Sequence, residues 1–163
     1  MINKYSCINI YENKKKNSKL SSQILYGEKF TILKKYKDWY RIKTSYDKYE
    51  GYIKKKKFEE FNFKPTHKVS SLKANIFLKP DRNSQIKMKL SFSSLLHVKS
   101  SKKGFLNFDD YWIQKSDVVP LNYREKIFKR ISIFRNVKYK WGGKKFDGVD
   151  CSGLIQLFYK FNN

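Results

Sequence analysis

The chain has 163 residues, with 37 Lys and Arg against 14 Asp and Glu, a formal net charge of +23 and a sequence pI near 9.9. At 40% apolar and 17% aromatic it is too rich in core-forming side chains for a disordered chain, and its length suits one or two small domains. No apolar run reaches the ~18 residues of a membrane span, and the first residues lack the apolar stretch of a secretory signal, so a cytoplasmic location is expected. Only five of the 37 basic residues are Arg, the residue that grips bases and phosphates in a two-pronged fashion. The Lys excess, accompanied by abundant Asn, reads as compositional bias and a solvated surface, not as specific nucleic-acid binding. Weak polyanion binding through patches such as Lys54-Lys55-Lys56-Lys57 is the remaining option. Cys7 and Cys151 give neither a disulfide framework nor a metal-ligand spacing, and no metal or cofactor is expected.

From about residue 25 to 63 the chain alternates in the manner of strands. Gly27-Glu28 signals a turn, Phe30 and Ile32 share a face, and Asp38-Trp39-Tyr40-Arg41-Ile42 and Gly51-Tyr52-Ile53 follow across polar turns. Short, evenly spaced strands of β-branched and aromatic residues predict a small antiparallel barrel. The pattern then recurs. Leu96-His97-Val98 lies 66 residues after Phe30-Thr31-Ile32, Phe105 and Phe108 lie 66 after Trp39 and Ile42, and Tyr111-Trp112-Ile113 lies 60 after Gly51-Tyr52-Ile53. One constant offset followed by one deletion is the pattern of a duplicated domain, although Gly27 is matched by Ser93. The join is expected at Lys64-Pro65-Thr66-His67.

After Pro120 the period changes. Ile127, Ile131 and Phe134 fall at helical spacing, with Asn122 and Glu125 resembling a capping box ahead of them. A second helical stripe, Leu154, Leu157, Phe158 and Phe161, follows Asp150. The segment between holds the chemistry. Asp150 is a good N-cap, which puts Cys151 at the first helical position, beside unpaired N–H groups and the partial positive charge of the helix start. Such a setting favours a thiolate nucleophile and can hold the oxyanion of acyl transfer. A small buried apolar cysteine is the plain alternative.

The stretch Tyr139-Lys140-Trp141-Gly142-Gly143, followed by Gly148-Val149-Asp150-Cys151-Ser152-Gly153-Leu154-Ile155-Gln156, resembles the NlpC-type cysteine peptidases, papain-like bacterial enzymes that cut peptidoglycan stem peptides. A group of bacterial members carries two SH3-like domains ahead of the peptidase, as the repeat here would. The resemblance implies a mainly β chain of two small SH3-like barrels followed by a partial α+β papain-like peptidase domain. The implied domains are 1–64 (core about 25–63), 65–121 and 122–163. It implies Cys151 as nucleophile, and Tyr139, Asp150 and Ser152 as substrate-binding residues, with Asp150 near the substrate's amino end. A tyrosine of the first SH3-like domain would close the site, and Tyr40, Tyr46, Tyr49 and Tyr52 are all open for that role. The implied activity is hydrolysis of γ-D-glutamyl bonds in stem peptides or free muropeptides.

The family's catalytic histidine lies downstream of the cysteine helix, and no histidine follows Cys151 here. His67 reads as a loop residue and His97 as a solvated strand residue, so the chain alone is expected to be inactive. A non-catalytic tandem SH3-like wall- or peptide-binding module with a peptidase remnant is the alternative. The stripe from Leu154 to Phe161, without the family's sheet, is expected to be exposed or to rest on the SH3-like units, loosely held.

Overall fold

A computed structural model describes residues 1–58 and 64–163, so the end of the expected first core, 59–63, lies outside the described residues. The first unit is built from β1 (Cys7–Tyr11), β2 (Leu20–Leu25), β3 (Phe30–Lys35), β4 (Trp39–Thr44) and β5 (Glu50–Lys54). The second contains β6 (His67–Val69), β7 (Lys73–Phe77), β8 (Ile86–Ser91), β9 (Leu95–Leu96), β10 (Val98–Lys102), β11 (Phe105–Phe108), β12 (Tyr111–Gln114) and β13 (Val118–Pro120). A hairpin of β14 (Lys144–Lys145) and β15 (Gly148–Val149) then leads into α1 (Cys151–Asn162), the one α-helix among the described residues. The architecture is mainly β, and no described helix is long and apolar enough to cross a membrane.

The duplication extends to the start of the chain, ahead of the point where the sequence pattern becomes visible. β7 and β8 lie 66 residues after β1 and β2, bound for bound. The sheet orders, β2-β1-β5-β4-β3 and β10-β11-β12-β7-β8, are the same topology read from opposite ends. Even turn hydrogen bonds repeat: Gly27 N to the Asn3 carbonyl (2.8 Å) is matched by Ser93 N to the Val69 carbonyl (2.9 Å). Both Gly27 and Ser93 are left-handed, at φ +80° and +68°, so the serine preserves a turn that favours glycine. Gly27 is held by sterics as well, since a Cβ there would lie 2.2 Å from the Leu95 carbonyl oxygen.

Each barrel has its own core on the inward-facing strand positions. Ile8, Ile10, Ile24, Phe30, Ile42 and Ile53 fill the first; Ala74, Ile76, Leu90, Leu96, Phe108 and Ile113 occupy the matching positions of the second. The residue beginning the β2–β3 turn of the first barrel and its counterpart in the second both leave their own barrel. Tyr26 inserts into the second core, edge-on to Phe108 at 5.7 Å, with its hydroxyl donating to Asp109. Phe92 enters a third cluster with Leu25, Phe134, Leu157, Phe158 and Phe161. The units therefore plug one into the next, head to tail.

Two expectations fail here. Residues 122–135 form turns and one 3-10 turn, Ile131–Phe134, with no α-helix. Phe128 has φ +67°, which an α-helix cannot continue through, and Ile127 and Ile131 stay exposed. Glu125 pairs with Arg130 at 2.7 Å, and its backbone N–H donates to Asn162 Oδ1, so no capping box forms at Asn122. The stripe of α1 is not loose. Leu157, Phe158 and Phe161 are buried, and Phe161 stacks on Phe92 at 4.6 Å.

Candidate active site

As the spacing predicts, Asp150 caps α1 and Cys151 is its first residue. The Asp150 Oδ1 accepts from the Gly153 N–H at 2.6 Å and the Ser152 hydroxyl at 3.0 Å, while Oδ2 accepts from the Gly142 N–H at 2.7 Å. One carboxylate thus ties the glycine turn to the helix start, satisfying a helix N–H that would otherwise be orphaned. The approach requires bare backbone. A Cβ on Gly143 would meet the Gly148 carbonyl oxygen at 2.5 Å, and one on Gly153 would meet that of Gly143 at the same distance.

The hairpin is seated on both barrels. The Lys144 N–H donates to Gln23 Oε1 of the first barrel at 2.7 Å, and the Phe146 N–H reaches the Ser91 hydroxyl of the second at 3.4 Å. Two ion pairs with little solvent exposure clamp the segment to the first barrel: Lys144 to Asp47 at 3.0 Å and Lys160 to Glu28 at 2.5 Å. Burial pulls the Asp47 carboxyl upward, but Lys144 and the Thr44 hydroxyl outweigh it and hold it below the usual range. Burial pushes the Lys160 ammonium down, against the pull of Glu28. At the other end of α1, Lys68 of the second barrel donates to the carbonyls of Tyr123 (2.6 Å) and Phe161.

Cys151 and Ser152 are exposed, and Tyr139 and Trp141 are 67% and 64% exposed. Ile155 and Tyr159, farther along α1, are exposed as well. A cavity of about 450 Å³ opens beside Trp141, lined by Glu12, Lys19 and Leu20. Sequence reading missed that wall because the alternation before residue 25 is interrupted by the Lys14-Lys15-Lys16 run. Of the four candidate tyrosines, Tyr40 packs on the first core and Tyr52 lies against Tyr36. Tyr46 meets Asn163, at the end of the helix opposite Cys151, and Tyr49 is exposed on the loop that carries Asp47. None of the four is hydrogen-bonded to Cys151 or Asp150 among the described residues.

Neither histidine is hydrogen-bonded to Cys151 among the described residues. His97 Nδ1 contacts the Lys64 carbonyl at 2.6 Å. His67, expected in a loop, begins β6, and its Nδ1 contacts the Thr66 hydroxyl at 3.0 Å. No group of His, Cys, Asp and Glu among the described residues is arranged to hold a metal. Cys7 is a different thiol from Cys151: burial pushes it up to about 12, even with Lys145 and Lys140 nearby.

Residues 10–58 match the bacterial dipeptidyl-peptidase Sh3 domain, and residues 136–163 match the NlpC/P60 family. The chain is 26% identical over 159 residues to the gamma-D-glutamyl-L-lysine dipeptidyl-peptidase of Bacillus subtilis (strain 168), covering 88% of this chain and 53% of that protein. It is 24% identical over 182 residues to dipeptidyl-peptidase 6 of Lysinibacillus sphaericus, covering 94% of this chain and 66% of the relative. The chain thus spans about half the length of the first relative and about two thirds of the second. A crystal structure of an NlpC/P60 family protein from Bacillus cereus ATCC 10987 superposes with a TM-score of 0.81 at 16% identity, covering 99% of this chain and 72% of that one, which shows the shared fold.

Proposed function

We propose, from the premise that this chain is homologous to the NlpC/P60 peptidases that carry bacterial SH3 domains, that it is the barrel-and-nucleophile portion of a cysteine peptidase cutting γ-D-glutamyl bonds in peptidoglycan stem peptides. The observation that carries the reading is the placement of Cys151: exposed, at the first position of a helix capped by Asp150, on a hairpin clamped to both barrels. In this reading the Cys151 sulfur attacks the γ-glutamyl carbonyl. The tetrahedral oxyanion is met by N–H groups of the helix start, the amine leaves with a proton, and water then hydrolyses the thioester. Tyr139 and Ser152 line the substrate side. Asp150 supplies negative charge for a substrate ammonium while its oxygens remain engaged as the cap.

The proton acceptor for Cys151 would come from outside these 163 residues, since His67 and His97 are engaged elsewhere. Free muropeptides in the cytoplasm are the proposed substrate pool. The engagement of both histidines also favours a second reading, in which this portion binds stem peptide without cutting it. The test is incubation with L-Ala-γ-D-Glu-L-Lys, read by mass spectrometry, for the chain alone and mixed with a histidine-bearing C-terminal segment of a relative. The peptidase reading expects release of L-Ala-D-Glu only in the mixture, and none with Cys151→Ser. Cleavage that survives Cys151→Ser would overturn it, and saturable peptide binding with no cleavage in the mixture would favour the binding module.

A further inference from the structure

A cleft of about 310 Å³ opens between the first barrel and the hairpin, and none of Tyr139, Asp150, Cys151 and Ser152 lines it. Four lysines line it, Lys54 and Lys56 from the barrel side and Lys140 and Lys145 from the loop and hairpin that precede α1, and among the described residues no carboxylate does. Only Lys145 of the four has an ion pair among the described residues, to the exposed Asp147 at 2.9 Å. Lys56 rests over the Tyr5 ring at 4.3 Å, and among the described residues no carboxylate pairs with it. Lys54, Lys56 and Lys140 are exposed around one cleft, and like charges sharing a concave surface raise the local positive potential and attract an anion.

The remaining polar groups of the cleft point the same way. Gln23 Nε2 donates to Asn9 Oδ1 at 2.8 Å, and Gln23 Oε1 accepts from the Lys144 N–H, so the amide acceptors are used within the protein. The Tyr11 hydroxyl accepts from Asn9 Nδ2 at 3.3 Å, and among the described residues nothing takes its own proton. Cys7 at the cleft wall stays a protonated thiol. The amide acceptors of the lining are thus engaged within the protein while its ammonium donors face the cleft, which favours a ligand made of acceptors. The duplication provides an internal contrast. The residues of the second barrel matching Lys54 and Lys56 are Gln114 and Ser116, so this concentration of charge is not a feature of the barrel as such.

We propose that this cleft is a binding site for a phosphate-bearing ligand, gripped by Lys54 and Lys56 of the first barrel and Lys140 and Lys145 of the loop and hairpin that precede α1. Compact ammonium groups on flexible stems suit a tetrahedral oxyanion with several charges. Because Lys140 lies between Tyr139 and Trp141, an occupied cleft also ties the first barrel to the loop that precedes the candidate nucleophile.

The test is a titration of the isotope-labelled whole chain with pyrophosphate, followed by the side-chain amide signals of Asn9 and Gln23 and the backbone signals of Lys140 and Lys145. The expected result is saturable binding with Kd below about 1 mM. Lys54→Gln with Lys140→Gln is expected to weaken it at least about tenfold, and the arginine pair at the same positions to restore it. Lys87→Gln with Lys89→Gln, on the second barrel, should leave it unchanged. Glycerol 3-phosphate and a poly(glycerol phosphate) chain then separate the sources. Tighter binding of the polymer per phosphate marks a polymer ligand, equal binding a free phosphate ester, and either supports the site. Shifts that do not saturate and spread over both barrels, or equal losses in both lysine pairs, mean an adventitious ion only and overturn the proposal.

Discussion

The two barrels hold the same helix by different chemistry. The second offers Phe92, which stacks on Phe161 at 4.6 Å and meets Phe158 and Phe134 at 5.2 and 5.8 Å. The first adds Leu25 to the same cluster and is distinguished by charge: Glu28 to Lys160 on α1, and Asp47 to Lys144 on the hairpin. Apolar burial is strong but tolerant of sliding and rotation, whereas an ion pair at low exposure costs desolvation and is favourable only in one geometry. The second barrel therefore supplies most of the adhesion, and the first fixes the angle at which the hairpin and the start of α1 are presented. Both arise from a duplicated scaffold. Glu28 corresponds to Ser94, and Phe92 to Tyr26, so a change of a few side chains at matching positions converted one docking surface into another.

The largest effect expected from breaking this arrangement is at the ring stack. Phe92→Ala should cost about 3–5 kcal/mol, in the range for deleting a buried aromatic, and should strip hydrogen-exchange protection from Leu157 and Phe158. Urea unfolding with exchange by mass spectrometry checks both. Tyr26→Ala should cost a similar amount but loosen the barrels from each other first, leaving α1 protected.

The charged side comes next. Glu28→Gln leaves Lys160 buried without its counter-charge and should cost about 3 kcal/mol. Removing both charges while keeping an acceptor for the buried Leu25 N–H, Glu28→Gln with Lys160→Met, should recover most of that loss. If the double variant is as unstable as the single one, the pair is not the clamp described here. Asp150→Ala removes the cap and the Gly142 link together, for about 1–2 kcal/mol.

The smallest effect is on pH dependence. Burial, reinforced by Arg124, pushes Lys68 down to about 8 from an ordinary 10.5, with Glu125 opposing. Between those values the unfolded chain holds more protons than the folded one, so stability rises with pH. Cys7 acts with the opposite sign: raised to about 12 from 9.0, it stays protonated in the fold while the unfolded thiol ionises, so stability falls above pH 9. Tyr26, pushed up by burial and Asp109, adds to that fall above pH 10. A shallow maximum at about pH 9–10 is expected, and Lys68→Met should weaken its rising limb, leaving the part that Lys160, also pushed down by burial, contributes. Thermal unfolding across pH 7–11 measures it.

The motif and the duplication were legible in the sequence because each rests on local pattern. Asp150 before Cys151, with glycines at 142, 143, 148 and 153, states its own turn and cap. The barrel offset is visible because inward positions repeat in apolar character. What was not legible depends on contacts between units. Ile127, Ile131 and Phe134 have helical spacing, yet only Phe134 finds a buried partner, and the left-handed Phe128 breaks the run. The stripe of α1 reads as needing a sheet of its own, because nothing local in Phe92 says that it leaves its barrel. The lysine cleft was visible only as a run of charge until the fold brought Lys140 and Lys145 over it.

Cys151 stands exposed at the start of α1 while burial keeps Cys7 protonated, so Cys151 is the thiol expected to react. Brief iodoacetamide treatment at neutral pH, followed by peptide mass mapping, tests it most directly. The expected result is alkylation of Cys151 at least about tenfold faster than of Cys7, with the difference collapsing in Phe92→Ala as α1 loosens. Equal rates in the unaltered protein, or Cys7 reacting first, would contradict it.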